Sequence, residues 1–320
     1  MPFSPYSIRI MSTSSLWQSG LSARLISAFQ AYQSAYTVQS WSGMGSGAAM
    51  DAARRGEADL VCTHDRIGEF IFMAERYALV RQWFSYNYFV IVGKPNGPIA
   101  GPTTLQSAFT LINTPPAGSS LVFVSRGPSG VSGTYVRENQ IWKRLNIATP
   151  NNVVNATPLV GMMGTIQDTY DRIVRGENAY TMTDIGTWYQ FLALNRGAAS
   201  VMTMLTSPND LTTDVPPRDP LASNQYVAMP VVPDYACFNG QNPPPQINTA
   251  GAQAFLDWLR TTTGANNAKD AVNGYLINIS PDPINNPILK QGFIYNTDAT
   301  EHFPDDKCLI KPIKEHGQEN

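Results

Sequence analysis

Charged residues are scarce in this sequence. They make up 14% of its 320 residues, whereas an average globular chain has about 25%. The 22 lysines and arginines nearly balance the 24 aspartates and glutamates, and the formal net charge is −2. A chain of this kind has no overall basic field, so its composition argues against nucleic acid as a partner. Hydrophobic residues reach 43%, which is enough for a core and excludes wholesale disorder.

Cysteine is also rare, with 3 residues in the whole chain. This small number excludes a disulfide-dense scaffold, and no C-x-x-C pair offers a zinc site. Cys62 lies in an apolar run, which predicts a buried free thiol. Cys237 and Cys308 lie in proline-rich surroundings. No spacing rule decides whether these two form a disulfide, so that question stays open.

Long apolar runs and a secretion signal are missing too. No stretch approaches the roughly 18–20 apolar residues of a transmembrane helix. The start of the chain, MPFSPYSIRI, has no basic segment followed by an apolar one, so it does not resemble a signal peptide. We therefore expect either an intracellular chain or a mature or trimmed form of a secreted one.

The sequence does contain a repeated alternation of strand and helix patterns. Apolar residues recur at helical spacing in residues 19–32 and 249–263, for example, and short apolar runs at 86–92 and 120–124 are typical of strands. This alternation predicts an α/β fold with open, mostly parallel sheets covered by helices. The length suggests about two domains. The tail after about residue 280 is rich in proline and asparagine and has no clear period.

Three predicted strand-to-helix junctions have similar chemistry. Residues 11–15, 43–47 and 125–134 each offer hydroxyl groups or glycines between a strand and a helix. Ligands of such sheets bind at the carboxyl ends of the strands, and the unpaired N–H groups of a helix N-terminus attract anions. Arg126 adds one fixed charge with forked donors. Together these features favour a site for a small, fully ionised tetrahedral anion.

The same residues also fit simpler structural roles. Serine and threonine after a strand are ordinary helix N-caps, and Asp184 is interpreted first as a cap of the helix that follows it. The glycine-rich turn matches neither a Walker A motif nor a complete G-x-G-x-x-G, so no nucleotide cofactor is predicted. No G-x-S-x-G elbow or metal-ligand spacing is present, so we predict no catalytic residues and no metal ligands. His64 beside Asp65 is the one feature that motivates an enzyme hypothesis.

These motifs resemble those of a known family. The chain resembles the TupA-type tungstate-binding proteins, a branch of the type 2 periplasmic substrate-binding proteins that serve ABC importers. The matching segments follow the family's order across about residues 7–276. They are residues 12–15, 19–21, 43–47, 55–59, 63–66, 86–93, 125–127, 132–134, 161–164, 179–184, 186–188 and 255–259, with Glu138 and Trp142.

The resemblance implies a two-lobed fold with a ligand in the cleft between the lobes. Lobe 1 would comprise residues 1–92 plus 225–320, including the extension from about 280, and lobe 2 would comprise residues 93–224. Two crossover strands, near residues 90–93 and 225–229, would form the hinge. A monomer that delivers its ligand to a membrane transporter subunit, outside the cell or in the periplasm, would be expected. The family's anion-contacting motifs map onto Ser12, Thr13, Ser14, Ser15, Ser46, Arg126, Ser132 and Thr134.

Two departures from the family pattern keep alternatives open. The loop at residues 127–131 is longer and uncharged where the family has acidic residues, and Ile185 stands where the family commonly has arginine. Our leading hypothesis is non-enzymatic binding of tungstate or molybdate. One alternative is a secreted protein of the same fold whose ligand is altered or lost. The other is an enzyme that uses the cleft for a small phosphorylated or carboxylated metabolite.

Overall fold

The computed structural model describes residues 6–99, 104–128, 132–148, 150–156, 161–206, 221–232, 246–260 and 300–302. These residues alternate between strands and helices, as the sequence predicted. The strands are β1 (Ser7–Thr13), β2 (Thr37–Met44), β3 (Leu60–Thr63), β4 (Val80–Gly93), β5 (Val122–Ser125), β6 (Val153–Asn155), β7 (Ala179–Asp184), β8 (Thr203–Met204), β9 (Ser223–Pro230) and β10 (Thr300–His302). The helices are α1 (Ser14–Gln18), α2 (Leu21–Tyr32), α3 (Ser46–Arg54), α4 (Arg66–Ala74), α5 (Leu105–Asn113), α6 (Gly133–Arg144), α7 (Gly161–Val174), α8 (Ile185–Leu194) and α9 (Thr249–Arg260).

The strands form one hydrogen-bonded path in the order β2-β1-β3-β9-β4-β7-β5-β6, and β8 and β10 also pair with β4. Strand β1 is parallel to β2 and β3, and β5 is parallel to β6 and β7. Every antiparallel pair in the described residues involves β4 or β9. Each group of parallel strands gathers its carboxyl ends at one edge, where ligands of α/β sheets bind.

Strand β4 belongs to both halves of this path. Its residues from Gln82 to Tyr88 pair with β9, and those from Phe89 to Gly93 pair with β7. Strand β9 in turn pairs with β3 on its other side. Two strands thus join two α/β halves, which confirms the predicted two-lobed fold with a two-strand hinge.

Helices cover both faces of the sheet in each half. Alternate residues of one strand enter different cores, as the period of two along a strand requires. In β3, Leu60 and Cys62 pack with α2 and α9, whereas Val61 packs with α3 and α4. In β4, Phe89 and Ile91 pack with α5 and α6. Val90 and Val92, which alternate with them, pack with α7 and α8.

Helix α9 packs into the first half, although it lies more than 200 residues after β1 in the chain. The Phe29 ring of α2 contacts the Phe255 ring edge-on at 4.9 Å and the Trp258 ring at 5.5 Å. Asn248 accepts a hydrogen bond from Gly251 N and donates one to Ser7 O, so it caps α9 and ties that helix to β1. Residues after β9 therefore complete the core begun by β1.

Several sequence expectations can be compared with the structure. Cys62 is a buried free cysteine, as predicted, and burial raises the pKa of its thiol to about 12. Residues 11–15 were expected to form a loop, but β1 continues to Thr13 and α1 begins at Ser14. Strand β4 begins at Val80, six residues before the predicted start at 86. No helix in the described ranges is long and apolar enough to cross a membrane. Cys237 and Cys308 lie outside the described residues.

Candidate functional site

The end of β1 presents the first group of predicted site residues. Ser12, Thr13, Ser14 and Ser15 are all buried. The Thr13 and Ser15 hydroxyls are hydrogen-bonded to each other at 3.2 Å. The Ser12 hydroxyl is buried and has no hydrogen-bond partner among the residues that the structure describes. A buried hydroxyl without a partner costs about 1–3 kcal/mol, so Ser12 is a donor available to a ligand.

Ser46 stands at the second predicted junction, as the first residue of α3. It is fully buried, and its hydroxyl accepts a hydrogen bond from His64 N at 3.3 Å. Strands β2 and β3 lie on either side of β1. The loops that follow these three strands therefore meet at one edge of the first half.

The third junction carries Arg126, between β5 and α6. Its guanidinium has no ion pair or hydrogen bond with any residue that the structure describes, and burial lowers its pKa. The backbone around it is held by Ser125, whose hydroxyl accepts from Gly127 N at 3.1 Å and donates to a Glu138 carboxyl oxygen at 2.8 Å. Gly127 has a φ of +70°, which places it in the left-handed region where glycine is favoured. Within the described ranges, Arg126 is thus an unpaired cation, next to a turn that Ser125 holds in place.

Helix α6 brings the third junction against the second one. Ser132 precedes α6 as its N-cap residue, and both Ser132 and Thr134 are buried. A Cβ added to Gly133 would lie 2.7 Å from His64 Nε2 and 3.0 Å from Ser46 Oγ. The backbone at the start of α6, in the second half, therefore lies directly against Ser46 and His64, in the first half.

A chain of polar side chains crosses the hinge beside this contact. Asn87 of β4 donates to Asp184 at 2.9 Å and accepts from Asn224 of β9 at 2.7 Å. Asn224 also donates to the Tyr226 hydroxyl at 2.9 Å, and the Tyr226 hydroxyl donates to Ser15 at 3.2 Å. The remaining amide oxygen of Asn224 lies 2.7 Å from His64 Nδ1. The chain links Ser15 and His64 in the first half to Asp184 in the second.

The hypotheses on Asp65, Asp184 and His64 have different outcomes. Asp184 accepts from Thr187 N at 3.0 Å, so it caps α8 as predicted. Asp65 caps α4 by accepting from Gly68 N. His64 lies beside Ser46 and Gly133, where the two halves meet. An amide, rather than the Asp65 carboxylate, orients its ring. Within the described ranges, no group of three or more His, Cys, Asp or Glu residues is placed to hold a metal ion.

Sequence reasoning missed several residues of this region. Asn87, Asn224 and Tyr226 lie inside strands, where no motif distinguishes them from ordinary strand residues. Gln18 was not singled out either, but its side-chain oxygen accepts from Met163 N of α7 at 3.2 Å. That bond is a second direct contact between the two halves on the side where α1 faces α7.

The order of elements, the hinge and the convergent junctions can be compared with known proteins. The sequence model of a family described as a PBP superfamily domain matches residues 6–262. The chain belongs to the PBP superfamily. A member of known sequence, named tungstate-binding protein TupA from Peptoclostridium acidaminophilum, is 29% identical over 217 residues. That alignment covers 68% of this chain and 65% of TupA, slightly less than two thirds of the relative's length.

Two solved PBP-like structures are similar over most of the chain. One, described as the tungstate ABC transporter from Geobacter sulfurreducens, has a TM-score of 0.64 and 26% identity, and covers 84% of this chain and 100% of its own. The tungstate-binding protein TupA from Desulfovibrio alaskensis G20 has a TM-score of 0.61 and 25% identity. That match covers 81% of this chain and 92% of the Desulfovibrio protein. These findings confirm the family resemblance that the sequence motifs indicated.

Proposed function

We propose that this PBP superfamily chain binds a small tetrahedral oxyanion, tungstate or molybdate first, in the cleft between its two lobes. The observation that carries this proposal is the contact at Gly133. There the N-terminal ends of α3 and α6, one from each lobe, meet beside Ser46. Unpaired N–H groups and the positive ends of both helix dipoles favour an anion at such a junction.

Two donors without a partner support the same conclusion. The buried Ser12 hydroxyl and the Arg126 guanidinium have no bonding partner among the described residues. Ser12 lies at the carboxyl end of β1, and Arg126 directly follows β5. An oxyanion accepts hydrogen bonds from neutral and charged donors alike. We assign ligand contacts to the eight predicted residues Ser12, Thr13, Ser14, Ser15, Ser46, Arg126, Ser132 and Thr134.

The lobes, the partner and the location are part of this proposal. Lobe 1 comprises residues 1–92 plus 225–320, and lobe 2 comprises residues 93–224, with closure by a hinge motion about β4 and β9. The names of the similar proteins support tungstate as the ligand and an ABC transporter as the partner. We also propose that the protein acts as a monomer outside the cell or in the periplasm, without enzymatic activity or a cofactor.

The geometry at His64 favours binding over catalysis. A catalytic histidine is commonly oriented by a carboxylate, which stabilises the imidazolium as it forms. Here the amide of Asn224 contacts Nδ1, and the Asp65 carboxylate caps α4 instead. The enzyme hypothesis therefore has no carboxylate–histidine pair to rest on among the described residues.

A thermal-shift panel with tungstate, molybdate, sulfate and phosphate tests the proposal. An anion that binds only the folded protein adds about 2.7 kcal/mol at a hundredfold excess over Kd, which raises Tm by several degrees in a domain of this size. We expect the largest shift with tungstate or molybdate. No shift with any of the four anions would overturn the proposal and favour a protein whose ligand has been lost.

Arg126→Ala should abolish that shift. Because Arg126 has no partner among the described residues, its removal leaves no buried group unpaired, and Tm without anion should stay unchanged. The matched control is Arg175→Ala, at an arginine that directly follows α7 and whose side chain is 59% exposed. This control should keep both Tm and the anion shift. An unchanged thermal shift in Arg126→Ala would show that Arg126 does not contact the anion.

Ser12→Ala tests the unpaired hydroxyl separately. Deleting a buried hydroxyl that has no partner should leave the free energy of unfolding unchanged or slightly higher. A hydrogen bond to a charged group is worth about 1.5–3 kcal/mol, so anion affinity measured by calorimetry should fall about tenfold or more. The control is Ser19→Ala, whose buried hydroxyl already donates to Leu16 O at 3.0 Å. It should cost stability and leave the affinity unchanged, the opposite of Ser12→Ala.

A further inference from the structure

The tautomer of the neutral His64 ring is fixed by the polar side chains at the hinge. The Asp184 carboxylate can only accept, so Asn87 must turn its NH2 group toward Asp184 and its oxygen toward Asn224. Asn224 must then donate with its own NH2 group and present its oxygen to His64 Nδ1 at 2.7 Å. An amide oxygen only accepts, so His64 Nδ1 carries a proton. In the neutral ring, Nε2 is therefore a bare acceptor.

The Nε2 edge of His64 faces the proposed anion site. The ring faces are covered by the stacked Tyr226 ring at 5.2 Å and the Phe89 ring at 6.2 Å. Nε2 lies at the start of α6 beside Gly133, and no described residue forms a hydrogen bond with it. A bare acceptor next to a bound oxyanion is repelled, whereas a protonated Nε2 would donate to that anion and add a positive charge.

We propose that His64 takes up one proton when the oxyanion binds, so that Nε2–H becomes a ligand of the anion and couples its affinity to pH. This inference rests on the proposed function. Burial lowers the pKa of His64 in the free protein, against the opposing effects of the Asn224 hydrogen bond and the Asp184 and Asp65 charges.

Two further groups, Arg137 and Tyr226, bear on the titration of His64. Arg137 of α6 lowers the pKa of His64 through its positive charge, and its own guanidinium donates to Ser223 O. Burial raises the pKa of the Tyr226 hydroxyl well above its usual value, so this hydroxyl stays neutral at the pH values at which a histidine titrates. A bound anion is thus the change that would favour the imidazolium.

Calorimetry in buffers of different ionisation enthalpy measures this proton uptake. We expect the wild-type protein to take up close to one proton per molybdate at pH 7.5, and the affinity to rise as pH falls, by at most about tenfold per pH unit. His64→Asn keeps a donor for Asn224 and has no group at the Nε2 position. It should bind molybdate without proton uptake and with a flat pH profile.

A second measurement does not depend on how well the variant binds. The imidazole Cε1–H signal of His64, assigned by its disappearance in His64→Asn, should move to imidazolium values when molybdate is added to the wild-type protein at pH 7.5. Binding of molybdate with no proton uptake and no movement of this signal would overturn the inference and leave the proposed function standing. Absence of any oxyanion binding between pH 6.5 and 8 would overturn both.

Discussion

At the scale of single residues, Glu138 is a buried acid that holds the turn carrying Arg126. Its carboxyl group accepts from Ser125 Oγ at 2.8 Å and from Trp142 Nε1 at 3.4 Å, and the side chain has no cation partner among the described residues. Burial raises its pKa to about 7, against the opposing effect of these two bonds. Below that pH, the Glu138 side chain is therefore protonated in the folded protein.

The raised pKa of Glu138 predicts a loss of stability with rising pH. In the unfolded chain a glutamate ionises near pH 4.3, so from there to about pH 7 the folded state holds the extra proton. The stabilisation that comes from this extra proton is complete below the pKa of Glu138 in the unfolded chain, and it is lost as pH rises through about 7. Glu138→Gln should flatten the free energy of unfolding over this window, by on the order of 3 kcal/mol. Urea titrations at pH 5 and pH 8 measure the difference.

Glu75→Gln is the matched control for Glu138→Gln. The Glu75 side chain is 43% exposed and paired with Arg54 on the surface. Its removal should change stability little and keep the pH dependence of the wild-type protein. If Glu138→Gln shows the same slope as the control, then Glu138 is ionised in the folded state.

At the scale of elements, Gly133 allows α6 to approach the first lobe. A Cβ there would meet His64 Nε2 at 2.7 Å and Ser46 Oγ at 3.0 Å, closer than carbon packs against such atoms. The clash is between the lobes, so a more open arrangement relieves it. Gly133→Ala should keep or slightly raise the stability of the free protein, since alanine favours helix. Its anion affinity should fall by about tenfold or more, because overpacking costs about 1–3 kcal/mol.

Small-angle scattering and calorimetry test the Gly133 substitution together. Wild-type protein should contract when anion is added, and Gly133→Ala should contract less. The control is Gly197→Ala, at a turn where an added Cβ would have no neighbour within 4 Å. An affinity for Gly133→Ala equal to that of the control would show that closure does not bring α6 against Ser46.

Local sequence patterns located the strand-to-helix junctions but not the contacts between them. Ser12, Ser46 and Arg126 all lie at or next to places where a strand gives way to a helix, and this order is visible within about ten residues of sequence. Asn87 and Asn224 are 137 residues apart, so no local pattern reports that they meet. The early start of β4 was missed because Arg81 is a charged residue inside a strand. Arg81 is nevertheless 1% exposed and pairs with Glu69 at 2.6 Å.

At the scale of the whole molecule, the core around β1 depends on two distant parts of the chain. Trp258 of α9 is 1% exposed and lies in one core with Ile8, Phe29 and Leu60. The turn at Asp59 adds polar contacts to the same assembly, because its carboxylate binds Arg9 Nη2 at 2.6 Å and accepts from Asn248 N at 2.8 Å. The first strands therefore lack part of their core until α9 has been made.

Trp258→Ala measures how much this late helix contributes. Truncating a buried aromatic residue costs about 3–5 kcal/mol, so the urea midpoint of unfolding should fall sharply. Trp17→Ala is the control of the same residue type, at a side chain of α1 that is 38% exposed, and it should cost about 1 kcal/mol or less. Equal losses in the two variants would contradict the packing of α9 against β1 and α2. A large loss confined to Trp258→Ala would support a first lobe assembled from both ends of the chain, with lobe 2 inserted between them.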